Sequence, residues 1–143
     1  MRHQVFGRKL NRDVKERRAL FKSLVIALIT HGRIKTTIAK AKAIKGLVDK
    51  LVTKAKDSSN GAKSQLASFL TKKEAIRKLT DVVAPKFKDR IGGYLRMIKV
   101  GKRVTDNAEE VILEWSIDKA QEKKEIIKVK IEKNTKKKEK KNK

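Results

Sequence analysis

The side chains best equipped for chemistry in this chain are its cations. Lysine and arginine number 40 against 16 acidic residues, a formal charge of +24. An ammonium or guanidinium beside a phosphate gains a charge-assisted hydrogen bond, and each phosphate it neutralises releases condensed counterions. Arginine adds a planar, two-pronged geometry that matches phosphate oxygens. A compact chain with this surplus repels itself unless a polyanion relieves it, so composition points to a nucleic acid as partner. Other chemistries are poorly supplied. Without cysteine there is no disulfide, thiolate zinc site or thiol nucleophile. Only His3 and His31 offer imidazoles, and no serine or paired carboxylate is spaced to work with them. We therefore expect no enzymatic activity, metal, cofactor or small-molecule substrate. Aromatic residues are 4% of the chain, which disfavours stacking of successive unpaired bases and leaves phosphate contacts dominant.

An anionic membrane is the other polyanion to weigh. The longest apolar run, Leu24 to Ile29, falls far short of the roughly 20 residues that span a bilayer. The start, Met1-Arg2-His3-Gln4, lacks the apolar stretch of a secretory signal. No membrane partner is expected, and the location expected is the cytosol.

The elements that must position these cations follow from periodicity. Residues 1–12 hold Arg2, Arg8, Lys9 and Arg12 with no acid and no regular period, which predicts an extended basic arm. From Asn11 or Asp13 to Gly32 the apolar residues Leu20, Phe21, Leu24, Val25, Ala27 and Leu28 recur at helical spacing, with Lys15, Arg18 and Lys22 along another side. Arg33-Ile34-Lys35-Thr36 suits a short strand before Thr37 opens a second helix. There Ile44, Leu47, Val48, Leu51, Val52 and Ala55 form the clearest apolar stripe in the chain. Gly46 interrupts it at about 1 kcal/mol relative to alanine, either because another backbone packs there or as a plain weakening.

Beyond a polar break at residues 57–61, short helices are predicted over roughly 62–70 and 72–79, with Thr71-Lys72-Lys73-Glu74 spaced as a capping box. Pro85 should end helical structure. Tyr94–Val100 and Glu110–Trp115 read as an antiparallel hairpin whose loop carries Lys102 and Arg103, which have no evident packing duty and read as a further phosphate contact. Trp115, Phe21, Phe69 and Phe87 are assigned to the core. The fold expected is α+β, one small domain over residues 13–118 with helices packed on a short mixed three-stranded sheet. Residues 119–143 hold 12 lysines and 4 glutamates and are expected to be disordered when unbound.

The candidate phosphate-binding residues fall into groups with different rival duties. Arg2, Arg8, Lys9 and Arg12 have no stabilising role in the fold and are the strongest set. His3 either stacks on a nucleotide or is simply solvated. Lys15, Arg18 and Lys22 serve either RNA or the wet face that any amphipathic helix needs. Arg33 and Lys35 extend the cationic surface along the strand. Thr36, Thr37, Lys40 and Lys42 lie at a helix N-terminus, where free amides favour phosphate, although Thr37 is equally placed to cap its own helix. Arg90, Tyr94 and Arg96 form a possible cluster at the hairpin entry, with the ring against a base or sugar or else over the core edge.

Taken together, the arm, first turn and second helix carry a specific signature. MRHxxxGRKLxR followed by THGRIxTTxAKAK, and then Asp89-Arg90-Ile91-Gly92-Gly93-Tyr94-Leu95-Arg96, resembles the bacterial large-subunit ribosomal protein seventeen family. The resemblance spans about residues 1–116, the middle helices matching in pattern only. It implies a mixed α/β domain with a small sheet, a bacterial cytosolic home, and binding to large-subunit ribosomal RNA, among neighbouring large-subunit proteins, near the outer end of the peptide exit tunnel. Ile38, Gly46 and Ile91 depart from the family pattern. The lysine-rich extension looks like an addition beyond the shared domain, or a product of an A+T-rich genome. An architectural protein coating duplex DNA is the alternative, since it needs the same positive surface.

Overall fold

The computed structural model describes residues 7–57 and 59–116. Arg2, His3 and the extension 119–143 lie outside the described residues. Helix α1 (Val14–His31) opens after Asp13 and closes on Gly32, whose φ of 78° is left-handed and whose N–H donates to the Leu28 carbonyl at 2.8 Å. Glycine adopts that conformation without the penalty a Cβ would bring. The buried residues of α1 are Val25, Leu28 and Ile29. Its first half therefore runs past the core, with Val14 71% exposed.

Strand β1 (Arg33–Thr37) leads directly into α2 (Ile38–Lys56). On α2, Ile44, Val48, Leu51, Val52 and Ala55 are buried and Leu47 packs against them half-buried, as the stripe requires. Gly46 lies off that face, and a Cβ added there would meet nothing within 4 Å. It is a weakening and not a close approach.

Helix α3 (Asn60–Phe69) is capped by Ser59, whose Oγ accepts from the Ala62 N–H at 3.2 Å and donates to Asp57 Oδ2 at 2.9 Å. The Ser59 N–H and hydroxyl together hold the Asp57 carboxyl below the usual aspartate range. The capping box expected at Thr71 is not formed. Leu70 is fully buried and the chain stays extended through Lys72, so α4 (Lys73–Lys78) starts one residue later than the box requires, without a side-chain cap.

Pro85 does not end the helix either. A π-helical stretch, Leu79–Val83, joins α4 to α5 (Ala84–Lys86), and the Ala84 N–H reaches back to the Leu79 carbonyl. The wider turn puts Pro85 in the first turn of α5, where its missing N–H costs nothing. Helical structure closes at Phe87 instead.

Strands β2 (Leu95–Lys102) and β3 (Glu109–Trp115) form the expected hairpin. A register shift between Lys99 and Gly101, whose φ is 142°, bends β2 near its end. Strand β1 lies on the other side of β3, from Arg33 opposite Glu114 to Thr37 opposite Glu110. The order is β1-β3-β2 and every pairing is antiparallel, a correction to the mixed sheet expected. The reason is that β3 returns from β2 and meets β1 running the opposite way.

One face of the sheet presents Val111, Leu113 and Trp115 to the helices, and the other carries charged side chains. The inner residues join Leu28, Ile29, Ile44, Leu66 and Leu79 in one core. Each such side chain contributes about 1.5–3 kcal/mol by leaving water. Phe87 meets Tyr94 edge-on at 5.1 Å between centroids and Trp115 at 6.1 Å. Phe21 and Phe69 pack on the margin, only half-buried.

Candidate nucleic-acid interface

The arm is turned back by a tight bend. Leu10 and Asn11 have φ of 55° and 51°, and the Arg12 N–H donates to the Lys9 carbonyl at 3.2 Å. Asparagine tolerates left-handed backbone, whereas it costs leucine about 1–2 kcal/mol. The bend lays Gly7, Arg8 and Lys9 beside α1 and the start of α2. With Arg17, Phe21, Lys42 and Ala43 they line a cleft of about 740 Å³.

From Arg8 to Lys45 the chain has 12 basic residues (Arg8, Lys9, Arg12, Lys15, Arg17, Arg18, Lys22, Arg33, Lys35, Lys40, Lys42 and Lys45) and two acids, Asp13 and Glu16. Lys15 and Arg18 are exposed on α1, Lys22 is half-buried, and Lys40 is half-buried on the first turn of α2. Among the described residues none of Arg8, Lys9, Arg12, Lys15, Arg17, Arg18, Lys22, Lys40 and Lys42 is bonded to an acid. Arg12 turns one guanidinium nitrogen to the Leu10 carbonyl. Thr37 is the N-cap residue of α2, but its side chain makes no capping bond. Thr36 beside it faces the inner side of β1, opposite Val111.

Across the sheet three cations are engaged. Lys35 Nζ lies 2.7 Å from Glu110 Oε2, and Arg96 Nε lies 2.5 Å from Glu114 Oε1. Arg103 grips Asp106 through two bonds of 2.6 and 2.8 Å and reaches Glu110 at 3.9 Å. The Arg103 guanidinium, with the Ala108 N–H, holds the Asp106 carboxyl down to about 2, and Asp106 in turn raises Arg103. Arg103, expected to have no packing duty, therefore clamps the β2–β3 loop. Lys102 beside it is exposed, and Arg33 is exposed opposite Glu114.

Tyr94 is the clearest correction. It is fully buried, so its ring cannot lie against a base or sugar. Its hydroxyl donates to the Arg90 carbonyl at 3.2 Å, its N–H donates to Asp49 Oδ1 at 3.3 Å, and Lys56 sits 5.5 Å over the ring. Arg90 likewise works inside the fold, donating to Ser116 O at 2.6 Å and Ser116 Oγ at 3.1 Å. The supposed cluster at the hairpin entry is a lock between α2 and the sheet.

Sequence reasoning missed Arg17 and assigned Phe21 to the core alone. Their spacing of four residues, which puts them on one side of α1, was the available signal.

Fold and site together define a class: a small basic α+β protein with a cation-rich cleft at one corner. The description "Ribosomal protein L17" belongs to the family model that matches residues 20–116. Large ribosomal subunit protein bL17 of Thermodesulfovibrio yellowstonii is 45% identical over 125 residues, covering 87% of this chain and 93% of that protein. The bL17 protein of Koribacter versatilis is 44% identical over 114 residues, 80% of this chain and 71% of its own. That of Clostridium acetobutylicum is 45% identical over 107 residues, 75% of this chain and 94% of its own. The chain belongs to the ribosomal protein L17 family.

Proposed function

We propose that this protein is a structural constituent of the bacterial large ribosomal subunit that binds large-subunit ribosomal RNA through phosphate contacts. The role is structural and not enzymatic, in keeping with the family. The observation that carries RNA binding is the crowding, where the arm, α1 and α2 meet, of cations bonded to no acid among the described residues. Like charges brought together without counter-charges oppose folding, and a ribose-phosphate backbone is the ligand that removes the opposition. Such contacts follow the shape and phosphate pattern of folded RNA more than its base sequence. A seat near the outer end of the peptide exit tunnel, among other large-subunit proteins in the cytoplasm, rests on the family resemblance of the arm and the Asp89–Arg96 segment. No described helix is long and apolar enough to cross a membrane.

Three measurements test this. Sedimented lysate should show the protein with the large subunit after a high-salt wash. The purified chain should prefer large-subunit RNA to duplex DNA at fixed moderate salt, and equal affinity would favour the architectural DNA-binding alternative. Deleting residues 1–12 should weaken incorporation while leaving thermal unfolding nearly unchanged. A large fall in melting temperature would make the arm part of the fold instead.

A further inference from the structure

Resting on the RNA reading above, we propose that the cleft between the arm, α1 and α2 takes one unpaired nucleotide, its base laid on the Phe21 ring and its phosphates held by Arg8, Lys9, Arg17 and Lys42. Phosphates alone would need only the cations, which serve as well on an open face as in a recess. The cleft draws its lining from the arm, α1 and α2, and α1 adds an aromatic ring to it. Its volume, about 740 Å³, lies within the roughly 300–1,000 Å³ usual for small-molecule sites. Phe21 is only half-buried, so the core leaves part of its ring to the cleft.

A nucleotide matches both halves of this lining. Its base offers a π-face to Phe21, and stacked bases also accept a guanidinium plane. Arg17, one turn before Phe21 on α1, lies on the same side of the helix, while Arg8 and Lys9 come from the opposing wall. That wall is set by the left-handed Leu10–Asn11 bend before any ligand arrives. Recognition of this kind requires a base free of its helix, so the ligand is a bulged or looped nucleotide in a folded RNA and not a regular duplex. Because every base has a π-face, the site selects the unpaired state more than the base identity.

RNA hairpins identical except at one position separate the possibilities. One carries a bulged adenosine, one an abasic ribose at the same bulge, and one no bulge. At fixed moderate salt the full chain should bind the adenosine bulge about tenfold more tightly than the abasic one. Phe21→Leu should erase that difference and keep binding of the fully paired hairpin. Phe21→Trp should retain the difference, with indole emission quenched by the adenosine bulge alone. Melting curves of both variants report whether the core has been disturbed, and the retained ring in Phe21→Trp keeps the test valid if Phe21→Leu loosens it. Equal affinity of the unaltered chain for adenosine and abasic bulges overturns the nucleotide site while leaving phosphate binding intact. Failure to bind any of the three hairpins overturns the RNA reading itself, and this site with it.

Discussion

The two charged regions of this molecule use the same residue types to opposite ends. On the sheet, Lys35, Arg96 and Arg103 face Glu110, Glu114 and Asp106 within ion-pair distance. At the corner of arm, α1 and α2, Arg8, Lys9, Arg17 and Lys42 converge on one cleft with no acid bonded to any of them among the described residues. A cation next to a carboxylate has its field largely cancelled, whereas one among its own kind projects it. The count of lysines and arginines gives the size of the surplus charge, and the placement of the acids shows where it stands uncompensated.

The contrast is sharpest at Tyr94, which belongs wholly to the structural side. Tyr94→Ala should destabilise the fold by about 3–5 kcal/mol, as truncation of a buried aromatic side chain does, read by denaturant unfolding. RNA affinity per folded molecule should not move, and a selective loss of affinity would return Tyr94 to the interface. Next in size is the joint replacement of Arg8, Lys9, Arg17 and Lys42 by alanine. It should weaken RNA binding about hundredfold or more and flatten the dependence of log affinity on log salt by up to roughly 3 units. Replacing Lys35, Arg96 and Arg103 instead should change that slope little, because their cations are already matched by Glu110, Glu114 and Asp106. Equal slopes for the two sets of replacements, sheet and cleft, would dissolve the distinction.

Smaller effects refine it. Gly46→Ala should raise stability by up to about 1 kcal/mol, since the added Cβ meets nothing and the helix loses a flexible residue, while RNA affinity stays the same. A lowered melting temperature would mean that Gly46 serves a contact. The smallest effect is the acid titration of the loop clamp. Asp106 is held at about 2, below its ordinary 3.8, so its contribution is present above the ordinary value and is lost as pH falls through about 2. An NMR titration of its carboxyl carbon should find the low midpoint in the intact chain and the ordinary one in Arg103→Ala.

Much of the scaffold was legible because it rests on local rules. Gly32 closes α1, the Ile44–Ala55 stripe buries α2, and alternation around residues 95–115 gives the hairpin. The failures came where distant packing overrode local chemistry. Thr71 and Glu74 have the spacing of a cap, but burial of Leu70 displaces the helix start. Pro85 signals a break, but a π-turn accommodates it. Tyr94 carries a polar handle that suits a nucleotide as well as it suits a buried network, and only Asp49 and Lys56, far away in sequence, decide between them. The cleft was half visible. Its cations stood out in the arm, but the bend that brings them to Phe21 depends on Leu10 adopting a conformation leucine ordinarily avoids.

The strand order has a consequence for how the molecule comes into being. The middle of the sheet is β3, the last described strand to leave a translating ribosome, while β1 is among the first. Until Glu109–Trp115 emerges, Arg33–Thr37 has no strand to pair with, and the inner faces of α1 and α2 lack their cover. Pairings this remote in sequence form slowly and leave apolar surface open to association in the meantime. The cation-rich corner, by contrast, is synthesised entirely within the first third of the chain. A nascent copy therefore displays its cation-rich corner before its sheet has closed.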